Sequence, residues 1–254
     1  MQIVFNEAFN NSDYAADNAA TPGRMEAVMA AFSAPGRHQI VSVPPATEED
    51  ILLAHTERRL REVSGNQNLY QMAMLAAGAA IAAAQTAFSL NEPVFACLRP
   101  PGHHASADAS WGYCVFCNVA VALLKLKKRS MIKNAFVLDF DAHTGDGTIN
   151  TLKDWPEAII VNIYADNNKD YITQLASRLL EVEHVDIVAV SAGFDAYIHD
   201  AGRKLETFDF YQIGVMLKNM TKRMGHQKRF AVLEGGYYLP DLGKNVAAFC
   251  DGFE

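Results

Sequence analysis

Positive charge is scarce in this chain: 22 lysines and arginines stand against 29 aspartates and glutamates, a formal net charge of −7. No long basic run offsets that balance. Nucleic acid and anionic membrane are therefore poor candidates for its main partner. The opening MQIVFNEAFN has no basic segment leading into an apolar one, so no secretory leader is expected. A clean membrane-length run is also missing. The longest apolar stretch, Met72 to Phe88, carries Gln85 and many alanines and reads as a buried helix. Cysteines are few, four in 254 residues. Cys114 and Cys117 form a CxxC, yet no second ligand pair at zinc-knuckle spacing accompanies it. Buried thiols are the expectation, because free cysteine usually behaves as a small hydrophobe, and a cytoplasmic location fits that usage. Repeats, low-complexity tracts and obvious linkers are lacking. Half of the residues are apolar, enough for a sizeable core in one α/β domain.

Short apolar runs alternate with helical patterns along the chain. Strands are expected at Met1 to Phe5, His38 to Val43, Pro93 to Leu98, 135 to 140, Glu157 to Ile163, Asp186 to Val190 and Phe230 to Leu233. Thr21-Pro22-Gly23 starts a helix running to Phe32. Thr47-Glu48-Glu49-Asp50 starts another, with acid in the first turn as the helix dipole prefers. Further helices are expected at Asn68 to Phe88, Val115 to Leu126, Thr148 to Lys153, Lys169 to Val182, Phe208 to Met224 and Asp241 to Phe249. Such alternation predicts a three-layer α/β fold, a mostly parallel sheet flanked by helices. Ligands then bind at the carboxyl ends of the strands. Each polar cluster follows a strand there: His103-His104, Asp139 to His143, Asp195 and Tyr237.

The most informative stretch is VLDFDAHTGDGT, 137 to 148. If the strand conformation persists, Asp139, Asp141 and His143 point the same way. Two carboxylates and an imidazole at a strand end are costly unless neutralised. A divalent cation does this, and the donor set suits zinc, iron or manganese. A polar strand end with a helix cap is the plainer alternative. Likewise Asp195 alone also reads as a helix cap, and Tyr237 as packing beside a Gly-Gly turn. His38, His184 and His226 have no partner pattern and are expected at the surface, as are His199 and Asp200.

Taken together, RPPGHHA (99 to 105), DFDAHTGDGT (139 to 148), SAGFDA (191 to 196) and LEGGY (233 to 237) resemble the zinc-dependent histone deacetylase and acetylpolyamine amidohydrolase family of the arginase-deacetylase fold. Weaker echoes lie in TPGRMEAV (21 to 28) and at His55. The resemblance spans nearly the whole chain, so residues 1–254 read as a single deacetylase-like catalytic domain. It implies that Asp141, His143 and Asp195 ligate Zn2+, with Fe2+ inseparable on this donor set. It makes His104 the general base and His103 an electrostatic or relay partner. Asp139 would orient His103, and Asp146 would orient His104. Tyr237 would donate to the substrate carbonyl. Trp111, Gly112, Tyr113 and Gly235 would line the substrate channel. A structural K+ near Asp139 is implied by the resemblance alone. The implied reaction is hydrolysis of an N-acyl amide on a cationic amine, an acetylated polyamine or an acyl-lysine.

Three departures qualify that reading. Thr144 replaces the family's second central histidine. Tyr197 stands where the family often has histidine. Between Ile163 and Tyr171 the family's long Gly-rich loop is reduced to Tyr164–Asp170, which implies an open site or one completed by a homo-oligomer. Two alternatives stay in play: a manganese ureohydrolase-like enzyme, disfavoured because Ala196 and Tyr197 follow Asp195 in place of a second ligand pair, and a non-catalytic member that binds a metal or acyl ligand.

Overall fold

The structure, a computed structural model, describes residues 1–34 and 36–254. Seven strands form one sheet: β1 (Gln2–Val4), β2 (Gln39–Val41), β3 (Pro93–Ala96), β4 (Ala135–Asp139), β5 (Ala158–Asn162), β6 (Val188–Ala192) and β7 (Arg229–Leu233). Their spatial order is β2-β1-β3-β7-β6-β4-β5. All neighbours run parallel. The inner strands β3, β4, β6 and β7 are buried along their whole length. That is why they read as apolar runs rather than alternating patterns.

Helices cover both faces. On one side α1 (Arg24–Ala30), α9 (Leu239–Phe253), α8 (Thr207–Arg223) and α7 (Asn168–Glu181) pack in that order. On the other lie α3 (Glu57–Ser64), α4 (Gln67–Leu90), α5 (Asn118–Lys128) and α6 (Asp146–Leu152), with the short α2 (Glu48–Ile51) against α5. Helix α4 is long and apolar enough to cross a membrane, but 67% of its most apolar window is buried within the fold. Its alanines permit close approach: a Cβ on Gly78 would lie 2.7 Å from the Ala46 amide nitrogen.

Element bounds differ from expectation where polar groups capture the backbone. Helix α5 begins at Asn118, not Val115. The Val115 amide donates to the Pro101 carbonyl and the Cys117 amide to His55 Nε2. Helix α6 begins two residues early, at Asp146. The strand ends at Asp139, and residues 141 to 143 form bends. Asp139, Asp141 and His143 therefore do not share one strand face, as an extended run would require. All four cysteines are buried and free.

Candidate active site

The carboxyl ends of β3, β7, β6 and β4 lie side by side and carry every polar cluster singled out above. At the end of β4 the chain bends because Asp141 turns back on it. Asp141 Oδ1 accepts from the His143 amide and from His143 Nδ1, each at 3.0 Å. Its other oxygen accepts from the Gly235 amide at 3.0 Å. Asp195 arrives from the 3-10 turn Phe194–Ala196 after β6. Phe194 anchors that turn, packing at 5.4 Å from Phe140 and 5.1 Å from Phe210 between ring centroids. Burying such a ring contributes about 2–3 kcal/mol. Asp195 Oδ1 accepts from the Ala142 amide at 2.9 Å, and Oδ2 lies 3.1 Å from His143 Nδ1.

Ligand atoms of Asp141, His143 and Asp195 all fall within 4.8 Å of one another. Bonds to Asp141 and Asp195 lift His143 to about 10, so the imidazole answers the two carboxylates. Burial, then the charge of Asp141, pushes Asp195 up to about 6. Its buried Oδ2 has only the His143 ring beside it, at 3.1 Å and poorly aligned for a hydrogen bond. Oxygen, nitrogen and oxygen donors around an under-neutralised pair of buried carboxylates fit a divalent cation with coordination positions left over.

The histidine pair sits beside this cluster. His103 Nδ1 meets Asp139 Oδ2 at 3.0 Å, and its Nε2 lies 3.7 Å from Asp141 Oδ2. Burial disfavours charge on His103, yet the fields of Asp141 and Asp139 outweigh it and raise its pKa. His104 Nδ1 meets Asp146 Oδ1 at 2.7 Å. Burial and the neighbouring His103 push His104 down to about 4 against the pull of Asp146. The two rings lie 3.9 Å apart. Trp111 does more than line a channel. Its ring stacks on His104 at 3.6 Å, and its Nε1 donates to Asp146 Oδ2 at 2.9 Å. The loop reaches this close through Gly112, at φ +60°, where a Cβ would lie 2.6 Å from His104 Cδ2. Tyr113 follows at φ +69°, an uncommon conformation for a non-glycine residue. Its ring meets Tyr237 edge-on at 5.9 Å.

Tyr237 completes the arrangement, and burial raises its pKa so that the hydroxyl stays protonated. A cavity of about 280 Å³ is lined by His103, His104, Trp111, Tyr113, His143 and Tyr237, with Asp141, Gly112 and Gly235 also on its wall. Asp139 and Asp146 stand behind the histidines. A second cavity of about 410 Å³ shares Asp141 and His143 and opens where the shortened Tyr164–Asp170 segment lies. Thr144 Oγ1 and the Tyr164 hydroxyl are hydrogen-bonded at 2.9 Å beside it.

Sequence reasoning missed three supports. Asp200, expected at the surface, is half-buried, and its Oδ2 accepts the amides of Tyr237 at 2.6 Å and Tyr238 at 2.8 Å. Arg24, fully buried, donates to the carbonyls of Glu234 at 2.6 Å and Gly236 at 2.9 Å. Glu234, also fully buried, accepts the amides of Gly102 at 2.7 Å and His103 at 3.2 Å. Of these, only Arg24 and Glu234 sat inside a noted motif. Tyr197 now has a structural role: its hydroxyl donates to Asp241 Oδ2 at 2.9 Å, tying the Asp195 turn to α9. His184 and His199 are exposed as expected, whereas His38 and His226 are half-buried. The His226 ring bonds the Val185 carbonyl at 2.8 Å.

A family model for the histone deacetylase domain matches residues 18–172 and 168–253. The chain belongs to the histone deacetylase family. A polyamine deacetylase named HDAC10 from Danio rerio is 28% identical, over 83% of this chain and 40% of that protein. Histone deacetylase 14, chloroplastic, from Arabidopsis thaliana is 30% identical, over 70% of this chain and 52% of that protein. A histone deacetylase-like amidohydrolase from Pseudomonas aeruginosa is 26% identical, over 91% of this chain and 75% of that protein. The chain thus spans about half or less of the length of the first two relatives. The solved HDA15 HD domain superposes with a TM-score of 0.83 at 22% identity, covering 98% of this chain and 90% of that one. That likeness establishes the fold, and with it the seven-stranded parallel sheet as a histone deacetylase-type sheet.

Proposed function

We propose that this histone deacetylase-family chain hydrolyses an N-acyl amide carried by a cationic amine, an acetylated polyamine or an acyl-lysine. The observation that carries the reading is convergence: Asp141, His143, His104 and Tyr237 line one small cavity, with Asp195 beside His143 and Asp146 behind His104. Asp141, His143 and Asp195 would hold the cation, zinc being the family's usual metal. When bound, it supplies Lewis acidity toward the acyl carbonyl and toward water. The chain's own groups do the rest. Asp146 accepts the Nδ1 proton of His104, which leaves Nε2 free to take a proton from attacking water and return it to the leaving amine. A pKa near 4 keeps His104 unprotonated and ready at neutral pH. Tyr237, protonated, donates to the oxygen that gains charge as the carbonyl is attacked. Asp200 accepts its amide, and Arg24 holds the carbonyls of Glu234 and Gly236 just before it. The acidic balance of the chain, with Asp166 and Asp170 along the adjoining cavity, favours a cationic substrate.

The test is amine release by purified, zinc-replete protein from acetylated polyamines, acetyl-lysine peptides and aryl acetamides, with His104→Ala beside it. Turnover that vanishes in the variant supports the proposal. No turnover from protein holding one metal per chain, or equal turnover in the variant, overturns it.

A further inference from the structure

The sheet ends in two unlike edges. Strand β2 has only three residues, a short ladder for any other chain to join. Strand β5 has five, reads AIIVN, and contains no charge, proline or glycine to discourage pairing. Its sole strand neighbour among the described residues is β4. It is only partly buried, with Ile159 40% exposed. An edge strand carries an outward row of backbone donors and acceptors. Here that row lies along a groove of about 520 Å³. Ile149 of α6 walls the groove on one face of the sheet, and Arg178, Glu181 and Val182 at the end of α7 wall it on the other. At Asn162 and Tyr164 the groove meets the cavity that borders the Asp141/His143 cluster.

We propose that two copies of this chain pair antiparallel through β5, joining their sheets across a twofold axis. The segment is self-complementary. With the axis at Ile160, Ile160 faces its own copy and Ile159 faces Val161, apolar against apolar, while Asn162 lies opposite the small Ala158 of the second copy. The same axis lays the two α7 helices antiparallel along one face. Arg178 and Glu181 sit three residues apart on that helix, each 61% exposed and paired with one another at 3.2 Å. Their opposite signs suit a twofold: the pair within each helix is shared across the axis, Arg178 of each copy facing Glu181 of the other, in two equivalent contacts. No strand of other sequence gains that reciprocity. The second copy would then close the flank of the open cavity beside Tyr164.

The proposal is independent of the deacylase reading, and its test reads mass rather than turnover. Analytical ultracentrifugation of the chain should show a species of twice 27.9 kDa at micromolar concentration. Ile159→Lys, at an exposed position, should yield monomer with an unchanged circular dichroism spectrum. Arg178→Glu and Glu181→Arg should each weaken association by about tenfold or more, because each turns two attractions into two repulsions. The double variant should restore it. A 27.9 kDa species at high micromolar concentration overturns the proposal. So does a dimer indifferent to Ile159→Lys and to the charge exchanges, or a charge-swapped double variant that stays as weak as its parents.

Discussion

Replacing Gly235 by alanine should remove metal affinity while leaving the fold in place. Gly235 follows β7 and holds Asp141 Oδ2 through its amide at 3.0 Å. A Cβ there would stand 2.6 Å from that same oxygen, 2.8 Å from Asp195 Cγ and 2.9 Å from Asp195 Oδ2. Ordinary contact begins near 3.4 Å. The Asp141 oxygen would therefore have to retreat by 3.4 − 2.6, about 0.8 Å, whereas a ligand set tolerates about 0.2 Å. Two of three ligands are pressed at once. Changes merely behind a ligand cost about 10- to 100-fold in affinity, so at least about 100-fold is expected here. The backbone objects little, since Gly235 is not among the positive-φ glycines. Overpacking should cost about 1–3 kcal/mol of stability. Competition with a chromophoric chelator gives the affinity, and thermal melting of the metal-free protein gives the stability. Wild-type affinity in a normally folded variant would refute the steric reasoning, and with it this cluster as the metal site.

His104→Ala and Tyr237→Phe should each lower acyl-hydrolysis turnover by about 10²-fold or more with metal content unchanged, as loss of a general base or an oxyanion donor does; full activity in both would remove their roles. Asp200→Ala should lower turnover by about tenfold or more at constant metal content, because two amides bonded to a carboxylate lose their partner and the backbone of Tyr237 is freed; steady-state kinetics beside metal analysis would show an unaffected enzyme if Asp200 were only a surface group. His55 is buried between the Ser106 carbonyl and the Cys117 amide, and burial holds its pKa down to about 4. The unfolded chain binds that proton first, so stability should fall by about 3 kcal/mol as pH drops from about 6.5 to about 4; His55→Gln should flatten that part of a urea-melt series, and an unchanged pH slope would count against it. Metal binding must displace the proton that His143 holds to about 10 and, below about 6, the one on Asp195. Affinity should rise with pH and protons should be released, as titration calorimetry in buffers of different ionisation enthalpy would register; binding without proton release would exclude His143 as a ligand.

The strands were legible because a parallel sheet buried on both faces leaves plain apolar runs, and every strand expected from such a run is present. Helix α3 was not read as an element separate from the helix that starts at Thr47. ERRLREVS is mostly charged, and its buried side is only Arg59, Leu60 and Val63, too few apolar positions for periodicity to show. Motifs located Asp141 and His143, Asp195 and the histidine pair, since each lies within a short stretch after a strand end. What holds them was not legible. Asp200 reaches Tyr237 across 37 positions, Glu234 reaches Gly102 across 132, and Arg24 reaches Gly236 across 212. Such pairings depend on which strands become neighbours, and spacing along the chain carries no record of that. Asp200 also lay next to exposed His199, so local context pointed the wrong way.

The strand order explains why so much charge can be gathered in one place. Strands β3 and β4 follow one another in sequence, yet β7 and β6 lie between them in the sheet. His103 and His104 come from the β3 side of that gap, and Asp139, Asp141 and Asp146 from the β4 side. Asp195 and Glu234–Tyr237 are delivered by the two strands that fill it. The site therefore exists only with β7 and β6 in place between β3 and β4. In that arrangement Asp139, Asp195, Glu234 and the Asp141 side chain are all buried. Burial pushes Glu234 up to about 7 and Asp195 to about 6, so the closed site resists holding all of them ionised. Glu234 offsets part of that cost with two backbone amides, and Asp139 with the His103 ring. Asp141 and Asp195 also accept backbone amides, and between them they share His143, whose side chain is 47% exposed. A proton on that ring neutralises one charge; a divalent cation in its place neutralises both. The same burial that penalises the empty cluster thus favours a cation at the one point where the cavity gives access.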